Sequence, residues 1–395
     1  PGCSPTPGAP PAPMTDSQQL GLALVLVYAS ECLVWVRRGG VVFRRWIGST
    51  GTLRTGGELF RNERGGLFWA PPLPTFGETV IVRGLPWSVG PEGILTGQGG
   101  SVDPAGRPVT PVLFRKWESL GGLRFTGRTV WAGGERLGEA GSEAEAARLA
   151  DGIEALRRFD PGERTRRLPG WIAAPFDPTA AARRLEEGRR ATRGVRRAGS
   201  LLFLFLFGVV PGVVWAWGWW PAWWMLALLL AGQVAWISWR ARGIHAGLHP
   251  AAAEERFRLT LTVALSPLAA IRVGDVLFRP LVEEFHPLVI GALWLERDTL
   301  EEMARRLWRD LRWPRLPACP VPEGAATEAF HRENVREALE AWARGAGLDP
   351  AAWERPRPPS DPSHTRHCPR CETQYTSRAS RCAECGGREL VPLGI

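Results

Sequence analysis

The chain has 395 residues, with 45% hydrophobic and 23% charged residues and a net charge of +9, enough for about two or three domains. The apolar residues are clumped, however: Leu201–Trp239 contains no Asp, Glu, Lys or Arg. That distribution argues against a wholly soluble protein and excludes wholesale disorder, a collagen and a disulfide-rich toxin.

Nearly all the positive charge is arginine, Lys116 being the only lysine. Together with the abundance of Gly, Pro and Trp, this fits a GC-rich coding sequence, so arginine placement says more than arginine count. The seven cysteines are three scattered residues, Cys3, Cys32 and Cys319, and four in the tail. An odd, dispersed set with one metal-type cluster argues against a disulfide framework and places the tail in a reducing compartment.

Pro1–Pro13 carries six prolines and no apolar run, so residues 1–16 are expected to be disordered, with Met14 as an alternative start. Leu20–Val36 is a first candidate span, within a predicted transmembrane segment 17–38. Arg37, Arg38, Arg44 and Arg45 follow it, which puts the N-terminus outside and Arg37 in the cytoplasm. Glu31 inside this run is a candidate intramembrane polar site; snorkelling to the nearby interface is the plainer account.

Residues 39–141 are rich in Gly, Pro and short apolar runs and read as a β-rich cytoplasmic domain. Val41–Ile47, Thr79–Val82, Val112–Trp117 and Thr129–Ala132 are its predicted strands, and Gly133–Gly134 marks a hairpin. Residues 142–199 read as a helical, arginine-rich juxtamembrane segment. Ser142 and Glu145 form a capping-box pattern, and Asp177–Pro178 opens a second helix. That helix brings Arg189, Arg190, Arg193, Arg196 and Arg197 up to the membrane, where they are candidate contacts for anionic lipid.

Residues 200–240 read as a transmembrane helical hairpin. One helix of that length would be about twice the thickness of a bilayer core, so a turn is expected near Trp219, Trp220 and Pro221. Tryptophans crowd that turn, and Trp236 and Trp239 mark the other end, as in an interfacial aromatic belt. Arginines flank both outer ends, which places both on the cytoplasmic side. Gly208 and Pro211 predict a kink in the first arm.

Residues 241–323 read as a helical cytoplasmic region. Leu259–Ile271 is apolar but too short to span and is expected to be a core or interfacial helix. Thr299–Arg312 carries an amphipathic stripe, and Arg315–Glu323 is a Pro-rich link. Residues 324–363 hold a further helix, Ala325–Gly345, and a Pro-rich linker.

The tail, 364–395, carries Cys368-Pro-Arg-Cys371 and Cys382-Ala-Glu-Cys385-Gly-Gly. Two C-x-x-C turns let four thiolates converge on one tetrahedral ion. Over about His367–Leu390 the tail resembles the zinc ribbon family, with Glu372 standing where a glycine often closes the first knuckle. The resemblance implies one structural zinc, Zn2+, held by Cys368, Cys371, Cys382 and Cys385, with no open coordination position for catalysis. His364 and His367 are candidate alternates or supporting groups. Arg366, Arg370, Arg378, Arg381 and Arg388 surround the knuckles, but Tyr375 is the only aromatic there, a thin platform for nucleic acid.

No catalytic residue emerges: no H-E-x-x-H, Walker A, G-x-S-x-G or dinucleotide-binding pattern occurs. The fold expected is a multi-domain α+β membrane protein with three transmembrane helices in the bacterial cytoplasmic membrane, most of the chain being cytoplasmic. The function expected is a non-catalytic adaptor or assembly factor using the ribbon for protein contact. The alternatives are a regulator whose ribbon binds nucleic acid and a component of a transport system or membrane enzyme.

Overall fold

The computed structural model describes residues 16–36, 40–46, 58–61, 66–70, 77–83, 87–96, 113–313, 321–376, 378–385 and 388–393. The expected disordered N-terminus, Arg37, Arg38, Cys319 and most of the Pro-rich link before Val321 lie outside the described residues. So does Gly386 of the second knuckle.

The chain opens with helix α1, Asp16–Glu31, which runs directly into strand β1, Leu33–Val36. The predicted first span, Leu20–Val36, is therefore not one helix. Val34, Trp35 and Val36 favour a pleated surface, and β1 pairs with β4 below, Leu33 opposite Trp69 and Val36 opposite Gly66. The apolar helix is only Gly21–Glu31, a rise of about 17 Å, roughly half of a bilayer core. Three transmembrane helices are thus not supported. Glu31 is the last residue of α1 and is exposed.

Strands β2 (Gly40–Trp46), β3 (Glu58–Arg61), β4 (Gly66–Trp69) and β5 (Gly77–Arg83) follow. A three-stranded sheet has the order β3-β2-β5, with Val41, Phe43, Val80 and Val82 on its core face. Next come β6 (Ser88–Val89), β7 (Gly93–Thr96) and β8 (Leu113–Lys116), one antiparallel sheet. The strands β9 (Leu123–Thr126), β10 (Thr129–Ala132) and β11 (Glu135–Glu139) form a meander. Its expected turn is present, with Gly133 at φ 57° and Gly134 at φ 90°, the left-handed region open to glycine.

Helix α2, Glu143–Arg158, starts at the predicted cap, the Ser142 hydroxyl accepting from Glu145 N–H at 3.2 Å. The Glu145 carboxylate reaches back one residue further than in a standard capping box, taking the Gly141 N–H at 2.5 Å. Helix α3, Pro161–Ala173, follows. Asp177 then caps α4, Pro178–Leu204, accepting from Thr179 N–H at 2.9 Å and Ala180 N–H at 3.0 Å.

Among the described residues one helix is long and apolar enough to cross a membrane, the 40-residue stretch Pro178–Trp217. It continues from α4 through a π-turn, Phe205–Val209, into α5, Val210–Trp217. Pro211 has no N–H to offer and would crowd the preceding turn; the widened turn just before it absorbs the conflict. The predicted kink signals thus produce a π-turn, not a break. Gly218, at φ 76°, separates α5 from α6, Trp219–Leu248.

The remaining α-helices among the described residues are α7 (Ala253–Leu265), α8 (Pro267–Ile271), α9 (Val273–Val282), α10 (Pro287–Ala292), α11 (Arg297–Arg312) and α12 (Pro322–Gly345). The N-termini of α2 and α7 cap each other. Glu143 accepts from the Glu254 N–H at 3.3 Å and from the Glu255 N–H, while Glu255 accepts from the Glu143 N–H at 3.0 Å. Each carboxylate thereby meets the positive end of the other helix.

The apolar residues gather into separate cores. One joins the β3-β2-β5 sheet to the start of α4 and to α9 through α12. A second lies between the upper half of α4, α6, α7 to α9, and Tyr28 and Cys32. A third joins β6 to β11 with α2 and α3. The small tail sheet has the order β13-β12-β14, with β12 His364–His367, β13 Gln374–Thr376 and β14 Val391–Pro392.

Candidate metal centre

The two C-x-x-C turns are brought together by the tail sheet. β12 delivers Cys368, and the return from β13 delivers Cys382 and Cys385. The Cys368 N–H donates to Thr373 O at 2.9 Å, and the Glu372 N–H donates to Cys368 O at 2.9 Å, closing the first knuckle. The Cys382 N–H donates to Arg388 O at 2.8 Å, and the Cys385 N–H donates to the Cys382 sulfur at 3.3 Å. These bonds fold each knuckle around its pair of cysteines.

The four Sγ atoms of Cys368, Cys371, Cys382 and Cys385 lie within 4.8 Å of one another, Cys371 and Cys382 at 3.6 Å. A tetrahedron of thiolates about 2.3 Å from a zinc ion has edges of about 3.8 Å, so the arrangement is compatible with a metal ion. Among the described residues the group consists of the cysteines alone. His364 instead meets the Ser360 hydroxyl at 3.3 Å. His367 is 5% exposed, its buried Nδ1 has no hydrogen-bond partner among the described residues, and it lies next to the site without joining it.

As free thiols the ligands differ. Burial raises Cys371, but hydrogen bonds with Thr373, Cys385 and Cys382 outweigh it and bring this thiol down to about 7. Burial, reinforced by the neighbouring cysteines, pushes Cys385 up to about 12. Binding a cation would displace these protons. Tyr375 sits over the site with its hydroxyl 3.3 Å from the Cys382 sulfur, and it accepts from the Ala383 N–H at 3.2 Å.

The first knuckle is clamped to α11. Glu372 adopts φ 58°, the left-handed conformation that a glycine would take without strain. Its carboxylate meets Arg305 Nη2 at 2.5 Å, Arg309 Nη2 at 2.9 Å and Arg357 Nε at 3.4 Å. Arg309 is 1% exposed and also donates to Pro369 O at 2.5 Å and Trp353 O at 2.8 Å. Arg370 completes the contact, 2.7 Å from Asp310. The sequence pointed to the cysteines and to the odd Glu372, but not to Arg305 and Arg309. Their i, i+4 spacing on α11 was the only available signal.

The other side of the ribbon is open: Arg378, Arg381, Ala383, Glu384 and Glu389 are exposed. Of the arginines around the knuckles, Arg370 is bound to Asp310 and Arg366 donates to Ala379 O at 3.3 Å.

The five juxtamembrane arginines divide. Arg196 pairs with Asp275 at 3.6 Å and lies over the Phe278 ring, and Arg189 lies over Trp294. Arg190, Arg193 and Arg197 are exposed at helical spacing along one face of α4. His245 and His249 form a buried edge-to-face pair with ring centroids 5.4 Å apart. They do not assemble with further ligands among the described residues.

No known protein family, characterised protein or solved structure matches the chain.

Proposed function

We propose that the protein is a membrane-tethered, non-catalytic adaptor that presents a zinc ribbon to a protein partner in the cytoplasm. The observation that carries this reading is the two-sided ribbon. Its first knuckle is locked onto α11 through Glu372, while its second knuckle offers Arg378, Arg381 and Glu384 to solvent. A closed set of four thiolates leaves no coordination position for a substrate and makes zinc the natural ion. Tyr375 is half-buried and is the one aromatic among the described residues of the knuckles, a thin platform for base stacking, which supports protein contact.

The tether in this reading is the pair of apolar arms on either side of Gly218, Leu201–Trp217 and Trp219–Trp239. Both cross the bacterial cytoplasmic membrane, with the turn outside and the arginine-flanked ends inside. Arg190, Arg193 and Arg197 then face anionic head groups of the inner leaflet.

The test is affinity capture from crosslinked membranes, comparing wild type with Cys382→Ser/Cys385→Ser and with Arg378→Glu/Arg381→Glu. The adaptor reading expects a defined set of proteins that is lost in both variants, while zinc is retained in the second. An unchanged protein set in both variants would overturn it.

A further inference from the structure

We infer that α7 and α8 form a wedge seated in the head-group and acyl boundary of the same leaflet that α4 and α6 enter. This rests on the membrane reading above. The occupant of its exposed apolar face is the lipid surface itself.

The register comes from α6. The two helices are joined by residues 249–252 and run antiparallel, and the Ser238 hydroxyl donates to Thr260 O at 3.2 Å. Thr260 is therefore level with Ser238, at the tryptophan-marked end of the apolar arm. Leu265 lies five residues further along, about 7.5 Å deeper at the helical rise, near the level of Gln233. An interfacial helix buries its apolar face by about 5–10 Å, so the wedge reaches the depth expected of one. At its other end α8 returns to α4: a Cβ on Gly199 would run into the Ile271 carbonyl oxygen.

The surface chemistry follows the same axis. No charge occurs from Leu259 to Ile271, while Arg258 and Arg272 bracket the run. The inner face of α7, Leu259 and Val263, is buried in the core shared with α6. The outer face is not covered: Phe257 is 67% exposed, Leu261 47% and Leu265 75%, one stripe at i, i+4 and i+8. Such a row of large apolar side chains is costly in water, and α6 carries the exposed Trp236 and Trp239 at the same level on this register. On this register Phe257 is level with Arg240 and Arg242, both exposed, and the stripe descends from there. The base is held to the body by the mutual capping of Glu143 and Glu255 with the opposing helix.

The experiment places an environment-sensitive fluorescent amino acid, one position at a time, in the full-length chain. Vesicles of phosphatidylcholine and phosphatidylglycerol carry brominated acyl chains as quenchers. The positions are Phe257, Leu261, Leu265, Leu228 on the exposed face of α6, and Glu337 on the exposed face of α12. The wedge requires quenching to rise in the order 257, 261, 265, with 265 approaching 228 and 337 unquenched. Quenching at 228 with none at 265 overturns the wedge and leaves the membrane reading intact: water, a second copy or another protein then covers α7. No quenching at 228 or 265 overturns both.

Discussion

Replacing Arg309 by methionine removes a guanidinium while keeping most of the apolar stem that packs in the α11 face. The guanidinium is buried against four acceptors: Pro369 O at 2.5 Å, Trp353 O at 2.8 Å, Arg355 O at 3.3 Å and Glu372 at 2.9 Å. Breaking a buried ion pair from one side costs about 3–5 kcal/mol. Glu372 keeps Arg305 at 2.5 Å and Arg357 at 3.4 Å, so its charge is not abandoned. The lower end of the range, about 3 kcal/mol, is therefore expected for undocking of the ribbon, equivalent to a roughly 100-fold larger open population. Arg370 is bound to Asp310 at 2.7 Å with its side chain 10% exposed in the docked ribbon, so tryptic cleavage after Arg370 reads that population when opening and closing are fast. Cleavage should accelerate by about 100-fold in Arg309→Met and hardly at all in Arg312→Met, an exposed control on the same helix. Equal rates in wild type and Arg309→Met would refute the clamp.

Other consequences concern stability. His286 accepts from the Leu288 N–H at 3.2 Å and His331 from the Val89 N–H at 3.4 Å, so both rings must be neutral at Nδ1. Burial pushes them down to about 3 and about 4 respectively. The unfolded chain, with histidine pKa near 6.5, then binds more protons, and stability is complete above about pH 7. It is lost as pH falls below about 6.5, by about 2 kcal/mol per ring between pH 7 and pH 5. Urea titrations at the two pH values should show this loss, and His286→Asn, which can still cap α10, should reduce it; an unchanged pH slope in the variant would contradict the assignment. Gly199→Ala should lower the melting temperature because its Cβ meets the Ile271 carbonyl, whereas Gly194→Ala on the same helix has open space and should raise it. Shifts of the same sign would show that close α4–α8 packing is not limiting. Asp177→Ala should cost about 1 kcal/mol by freeing the Thr179 and Ala180 N–H groups, again read as a melting shift, and no shift would show the cap to be idle.

What could be read from the sequence was local. Ser142, Asp177–Pro178 and Gly133–Gly134 announce caps and a turn through their own backbone chemistry, and the structure uses each of them there. The cysteine spacing likewise needs only two tight turns to bring four sulfurs together. What could not be read depends on distant partners. Leu33–Val36 continues the apolar run of α1, and only its pairing with Gly66–Trp69 shows that the helix has ended. Glu372 looked like an imperfect knuckle glycine; its purpose appears only with Arg305 and Arg309, on a helix folded against it from more than 60 residues away. The π-turn before Pro211 shows the same limit, since a proline in an apolar helix predicts a disturbance without specifying its form.

Membrane embedding and metal loading of one and the same chain are the two properties on which the proposed function depends. Both are read by the zinc content of full-length protein purified from membranes washed with alkaline carbonate. The expected result is a chain that stays in the membrane pellet and carries about one zinc, which is lost in Cys382→Ser/Cys385→Ser. A chain released by carbonate, or one retained in the pellet without metal, would contradict it.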